Sequence, residues 1–177
     1  MSEWQITPGH FVPAVALTII GMSTGTFLLG ALGDRVGRRP VLIASIALFA
    51  LPSLLMGVFA TGLPSFTLLR TLGAIGLGGT FPNAIALISE FTPPHRRNSA
   101  ITFAILSMAI GGLFCGLLAS VLLPAFGWRS LFVAGGVLPL VMAALMLPFI
   151  PESISFLLRT NRRDRLMATL ARCRLDV

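Results

Sequence analysis

The residues able to do chemistry are few and sharply placed. Asp34 stands in the run Gly30-Ala31-Leu32-Gly33-Asp34-Arg35-Val36-Gly37-Arg38-Arg39, one carboxylate among three guanidiniums and three glycines. The glycines permit a tight backbone reversal and close helix approach. The mixed charge suits a latch whose ion pairs form and break as helices rock. A merely basic loop accounts for the arginines but for neither the aspartate nor the glycine spacing. Glu90, just ahead of Pro93-Pro94 and Arg96-Arg97, is a partner for Arg35 or Arg38. An exposed pair of this kind contributes only about 0–1 kcal/mol. Arg70 is the one charge inside an otherwise uncharged stretch running from Pro40 to Ser89, and Asn83 follows Pro82 in that stretch. No nucleophile–base set is present, nor a phosphate loop after a strand. His10 and His95 are isolated, so neither a metal site nor a cofactor nor enzyme chemistry is expected.

These groups must be positioned by helices in a membrane. Of 177 residues, 55% are hydrophobic and 11% charged, against about 25% charged in soluble domains. Uncharged runs cover Trp4–Gly33, Pro40–Leu69, Thr71–Ser89, Asn98–Trp128 and Ser130–Pro151. A bilayer core about 30 Å thick needs about 20 apolar helical residues, so the expected fold is all-α and integral to the membrane. Five transmembrane helices are predicted, over about 11–32, 41–63, 66–89, 101–126 and 131–150, all within a unit at 1–150. Lipid cannot satisfy a strand's open edge. Pro40 suits the first turn of the second span, whose N–H would be orphaned anyway, while Pro52, Pro82 and Pro139 fall inside spans. The segment 151–177 reads as a basic cytoplasmic tail, with Leu166, Leu170 and Cys173 at helical spacing among arginines. It is either an interfacial helix on anionic lipid or a solvated tail.

Loop charge gives orientation. All 13 basic residues are arginine; 11 of them (Arg35, Arg38, Arg39, Arg96, Arg97 and six in the tail) lie on every second loop, against Arg129 on the alternate side. The arginine-rich side is therefore cytoplasmic, with the C-terminus inside and Met1–His10 outside. Basic residues dispersed in this way form no phosphate-tracking face, so nucleic acid is not a partner; the lipid bilayer is. Cys115 reads as small packing filler, and the two cysteines make no disulfide framework. Only Glu3 is charged before the first span, which is not the pattern of a cleaved signal peptide. An outward N-terminus before an odd number of spans suggests that a segment in front is missing.

The segment Gly30 to Arg39 resembles the G-x-x-x-D-R-x-G-R-R signature of the major facilitator superfamily at every fixed position. In that superfamily it joins the second and third transmembrane helices. Arg70-Thr71-Leu72-Gly73-Ala74-Ile75-Gly76-Leu77-Gly78-Gly79 resembles the fourth-helix pattern R-x-x-x-G-x-G-x-G-G, with its first glycine shifted to 73. Glu90 with Pro93 and Arg96-Arg97 resembles the turn after the fourth helix. Gly127-Trp128-Arg129 and Pro151-Glu152-Ser153 resemble the two ends of the sixth. The stretch Gly79-Thr80-Phe81-Pro82-Asn83-Ala84, with Gly135-Gly136 and Pro139, is most similar to the aromatic acid:proton symporter branch.

The resemblance implies family helices two to six of an N-terminal half, taken from a twelve-helix transporter built of inverted repeats. The first helix, with the branch's aspartate-rich motif, and the C-terminal half are then missing partners. The implied function is part of a proton-coupled symporter in the cell (inner) membrane, moving small organic anions, aromatic acids foremost, by alternating access. The alternatives are a truncated fragment that transports nothing, a membrane partner subunit, and a sugar or other metabolite porter of the same superfamily. On this reading Arg70 and Asn83 belong to the substrate and proton pathway. Gly30, Asp34, Arg35, Gly37, Arg38, Arg39 and Glu90 form the cytoplasmic gate. Other readings stay open: Arg70 snorkelling to the outer surface, and Asn83 capping carbonyls freed by Pro82. Gly21, Gly25, Gly76, Gly78, Gly79, Gly112 and Gly116 are expected at helix contacts. The pairs Gly21/Gly25 and Gly112/Gly116 either slide against the opposite half or pack within this one.

Overall fold

The structure, a computed structural model, describes residues 12–146 and 149–159. Helices α1 (Val12–Val36), α2 (Arg38–Phe59), α3 (Leu63–Phe91), α4 (Arg97–Phe126) and α5 (Trp128–Met146) run up and down, and a short α6 (Ile154–Arg159) follows. Among the described residues, five helices are long and apolar enough to cross a membrane. The expectations placed on Met1–His10 and on Leu166, Leu170 and Cys173 fall outside the described residues.

Helices α1, α3 and α4 run further than the hydropathy breaks suggest, α2 is shifted toward the N-terminus (Arg38–Phe59 against 41–63), and two of the turns are minimal. Gly37 (φ +117°) is the whole connection between α1 and α2, and Gly127 (φ +75°) that between α4 and α5. Positive φ is glycine's province, and each turn closes with an N–H to a carbonyl four residues back, Gly37 to Gly33 and Gly127 to Leu123, both 3.1 Å. Pro40 stands in the first turn of α2. At the start of α3 the Gly62 N–H donates to Ser65 Oγ (3.3 Å) and the Phe66 N–H to the Gly62 carbonyl (3.0 Å). Pro93 and Pro94 follow the helix, and a 3₁₀ turn over Pro94–Arg96 leads into α4.

Packing is inverted relative to a soluble protein. In lipid no hydrophobic drive holds helices together, so small residues face neighbours and large apolar ones face out. The core lies between α1, α2 and α3 and contains Gly21, Gly25, Gly33, Ser45, Ala50, Ala74 and Gly76, while Phe27 is 76% exposed and Ile19 61%. A Cβ on Gly25 would run into the Ile75 backbone, and one on Gly21 would sit 2.9 Å from the Thr71 carbonyl. Gly76 abuts Ser45 and Leu48 of α2, Gly78 abuts Met22 of α1, and Gly79 lies against Leu29 and Ser45. Of the two alternatives for Gly21 and Gly25, packing within this chain is the one observed.

Gly112 and Gly116 differ: a Cβ on either would meet nothing within 4 Å, so of their two alternatives packing within this chain is not the one seen. Helix α4 has no buried residue, and Cys115, read as packing filler, is exposed on it. A glycine pair permits close approach but supplies no partner. At the far end from Gly37, Phe66, Trp128 and Phe132 stack edge to face at 5.6–6.4 Å. Arg129 there lies over Trp128 (5.3 Å) and donates to the Ala60 carbonyl at the end of α2 (3.2 Å).

Candidate functional site

Two sets of polar groups stand apart from this apolar packing. The first gathers where α1 ends, α2 begins, α3 ends and α6 begins. Because Gly37 reverses the chain in one residue, Asp34 and Arg38 are one helical turn apart across it, and Arg38 Nη2 reaches Asp34 Oδ1 at 3.0 Å. Its Nη1 reaches Glu90 Oε1 at 2.8 Å, so one guanidinium bridges carboxylates from α1 and α3. Glu90 Oε1 also accepts from Ser153 Oγ, and Oε2 from the Ile154 N–H, both at 3.0 Å.

Ser153 is the N-cap of α6, accepting the Phe156 N–H at 3.2 Å, the usual task of a serine there. Glu152 Oε1 accepts the N–H groups of Arg39 (3.3 Å) and Ser153 (3.0 Å). A Cβ on Gly37 would press on that carboxylate at 3.1 Å, so the turn needs glycine both for its φ and for the room beside Glu152. Hydrogen bonds to charged groups of this kind are worth about 1.5–3 kcal/mol when shielded and far less when wet. The Arg38–Glu90 pair is shielded, at 23% and 11% side-chain exposure; Asp34 is 59% exposed.

Of the expected gate residues, the structure therefore joins Asp34, Gly37, Arg38, Arg39 (through its backbone) and Glu90. Arg35 is exposed and takes no part in the cluster among the described residues. Gly30 lies inside α1, 3.9 Å from Pro82 by its would-be Cβ, and belongs to α1–α3 packing instead of the turn. Glu152 and Ser153 were missed as participants. The signal was present: a serine one residue ahead of a short apolar helix is an N-cap pattern. Their docking onto Glu90 and Gly37 is not a local property and had no signal.

The second set lies along α3. Arg70 is seven residues into the helix, about 10 Å along its axis, and is exposed with no partner among the described residues. Thr71, Ile75 and Gly78 of α3 meet α1, and Gly73 and Gly76 meet α2. Arg70, with the exposed Leu77 and Phe81 seven and eleven positions on, lies on the remaining open face. Asn83 is elsewhere: 2% exposed, its Nδ2 donates to the Leu29 carbonyl of α1 (3.1 Å) and the Gly79 carbonyl of α3 (2.8 Å). This corrects its assignment to the pathway; both amide protons are used inside the α1–α3 contact. A guanidinium held at an open helix face can attract an anion, and the knot around Arg38 can hold or release helix ends. Among the described residues no cluster of His, Cys, Asp or Glu could hold a metal.

Comparison with known proteins gives these sites a context. The model of the Major Facilitator Superfamily matches residues 1–171. The 4-hydroxybenzoate transporter PcaK of Pseudomonas putida is 36% identical over 96% of this chain, and the benzoate transport protein of Acinetobacter baylyi 35% over 93%. The chain spans 38% and 36% of the lengths of those relatives. Among solved structures, a partially occluded inward-open conformation of the xylose transporter XylE from E. coli superposes with a TM-score of 0.79. That superposition has 23% identity and covers 92% of this chain and 42% of the other.

Proposed function

The chain belongs to the Major Facilitator Superfamily, and from that premise we propose that it is part of the N-terminal half of a proton-coupled symporter for small organic anions, aromatic acids foremost. The observation that carries this reading is Arg70, a guanidinium inside an apolar span with its side chain on an open helix face. An intramembrane charge is costly and is a functional-site candidate by default. On this reading Arg70 draws the substrate carboxylate toward a midplane path, and two of the similar relatives are named for benzoate and 4-hydroxybenzoate.

Alternating access then rocks this half against the other. The knot of Asp34, Arg38 and Glu90, braced by Glu152 and Ser153, ties α1, α2, α3 and α6 at one end and serves as the latch there. The concentration of arginine at that end supports reading it as the cytosolic end of a multi-pass protein of the cell (inner) membrane. A membrane-impermeant thiol reagent should fail to label Asp34→Cys from outside intact cells; labelling would reverse the orientation.

The deciding experiment is uptake of labelled 4-hydroxybenzoate by a complete transporter containing this sequence. Arg70→Ala should raise KM by about 10- to 100-fold, the value of one hydrogen-bonded charge, and Arg70→Lys should recover part of the loss. Unchanged KM and proton dependence in Arg70→Ala would remove the role given to Arg70. A second reading concerns the polypeptide alone. Because α4 has no buried residue, the isolated chain is an incomplete wall and transports nothing. Proton-driven accumulation in liposomes containing only this chain would overturn that reading.

A further inference from the structure

Pro82 leaves a defect in the middle of α3. With no N–H at position 82, the Gly78 carbonyl four residues back loses its helical partner, and lipid offers no replacement. The structure shows what fills the place. Thr26 Oγ1 of α1 lies 3.0 Å from the Gly78 carbonyl and 2.9 Å from the Met22 carbonyl of its own helix. A hydroxyl has one proton to give, so it is shared between the two. Thr18, Thr24, Thr67, Thr71 and Thr80 each donate to the carbonyl four residues back in their own helix; Thr26 also reaches across to another helix.

The residue after the proline repeats the pattern, since Asn83 Nδ2 satisfies Gly79 of α3 and Leu29 of α1 together. The approach is possible because glycine stands at Gly78 opposite Met22 and at Gly33 opposite the Asn83 amide.

From this geometry we infer that Thr26 and Asn83 are positioning residues: a polar clasp that replaces the bond lost at Pro82 and keys the second half of α3 to α1. Glu90 lies eight residues beyond Pro82, about 12 Å along the axis. A tilt of about 10° at the proline would carry the Glu90 end sideways by about 2 Å over that length, enough to break the 2.8 Å contact with Arg38. The clasp thus sets whether the knot can form. Its consequence for transport rests on the reading of that knot as a latch; its existence does not.

The test uses the chain in phospholipid nanodiscs with Cys115→Ser and Cys173→Ser. Nitroxide pairs are placed beyond the proline (Val36→Cys with Ser89→Cys) and before it (Val15→Cys with Leu68→Cys), and distances are measured by electron–electron resonance. Thr26→Val should shift the first distance by 2 Å or more, or double its width, and leave the second unchanged. Thr26→Ser should restore the original. In a Pro82→Ala background, where position 82 again donates to Gly78, Thr26→Val should have no effect. The inference is overturned if Thr26→Val moves neither pair, moves both pairs equally, or acts as strongly in the Pro82→Ala background. If Thr26→Val alone does not insert, the Pro82→Ala double variant must still fold, and its failure overturns the inference as well. No transport is measured, so failure of the symporter reading leaves this result standing.

Discussion

Removing the Glu90 carboxylate should release α6 from the bundle while leaving the five long helices in place. In Glu90→Ala three contacts go: Arg38 Nη1 at 2.8 Å, and Ser153 Oγ and the Ile154 N–H at 3.0 Å each. Hydrogen bonds to a charged group are worth about 1.5–3 kcal/mol each when shielded, and exposed ion pairs about 0–1 kcal/mol. Glu90 is 11% exposed and Arg38 23%, between those limits. Arg38 keeps Asp34, and Ser153 keeps Phe156, so the full sum is not lost. The expected loss is about 2 kcal/mol, a rise of about 30-fold in the opening equilibrium of α6 at 1.4 kcal/mol per decade. Leu157, 2% exposed in α6, reports it. With Cys115 and Cys173 replaced by serine, the thiol-labelling rate of Leu157→Cys follows the open population when reclosing is fast. Asp34→Asn is the control: at 59% exposure it should change the rate less than fivefold, and that change should shrink in 1 M salt. A rise below threefold for Glu90→Ala, or an equal rise for Asp34→Asn, would refute the assignment of Glu90 as the shielded centre of the knot.

Further expectations concern the glycines. Gly25→Ala should destabilise the bundle by about 2 kcal/mol or more in reversible unfolding from lipid–detergent micelles, because its Cβ would enter the Ile75 backbone. Gly112→Ala should instead be neutral or stabilise by up to about 1 kcal/mol, since its Cβ meets nothing within 4 Å and alanine is the better helix former; equal losses at both sites would contradict the packing described. Gly37→Ala should cost about 2 kcal/mol and raise Leu157→Cys labelling, whereas Gly127→Ala should cost about 1 kcal/mol without that effect. Both residues have positive φ, but only a Cβ at Gly37 presses on Glu152.

Much of this molecule is a one-dimensional property of its sequence. Each span is a run of apolar residues long enough for a bilayer, and the runs are separated by arginine, proline and glycine, so the number and type of helices follow from local composition alone. The one-residue turn at Gly37 and the meeting of Asp34 with Arg38 are local too, one helical turn on either side of a glycine. What the sequence did not determine is which face of each helix is covered. These spans are apolar on all sides, so no hydrophobic stripe marks the inner face. The same glycine spacing is closely packed at Gly21/Gly25 and bare at Gly112/Gly116. Asn83 turned inward to α1, and Glu152 reached the Arg39 backbone across 113 residues. Such contacts depend on the rotational phase of two helices at once, and that phase exists only when both helices are in place.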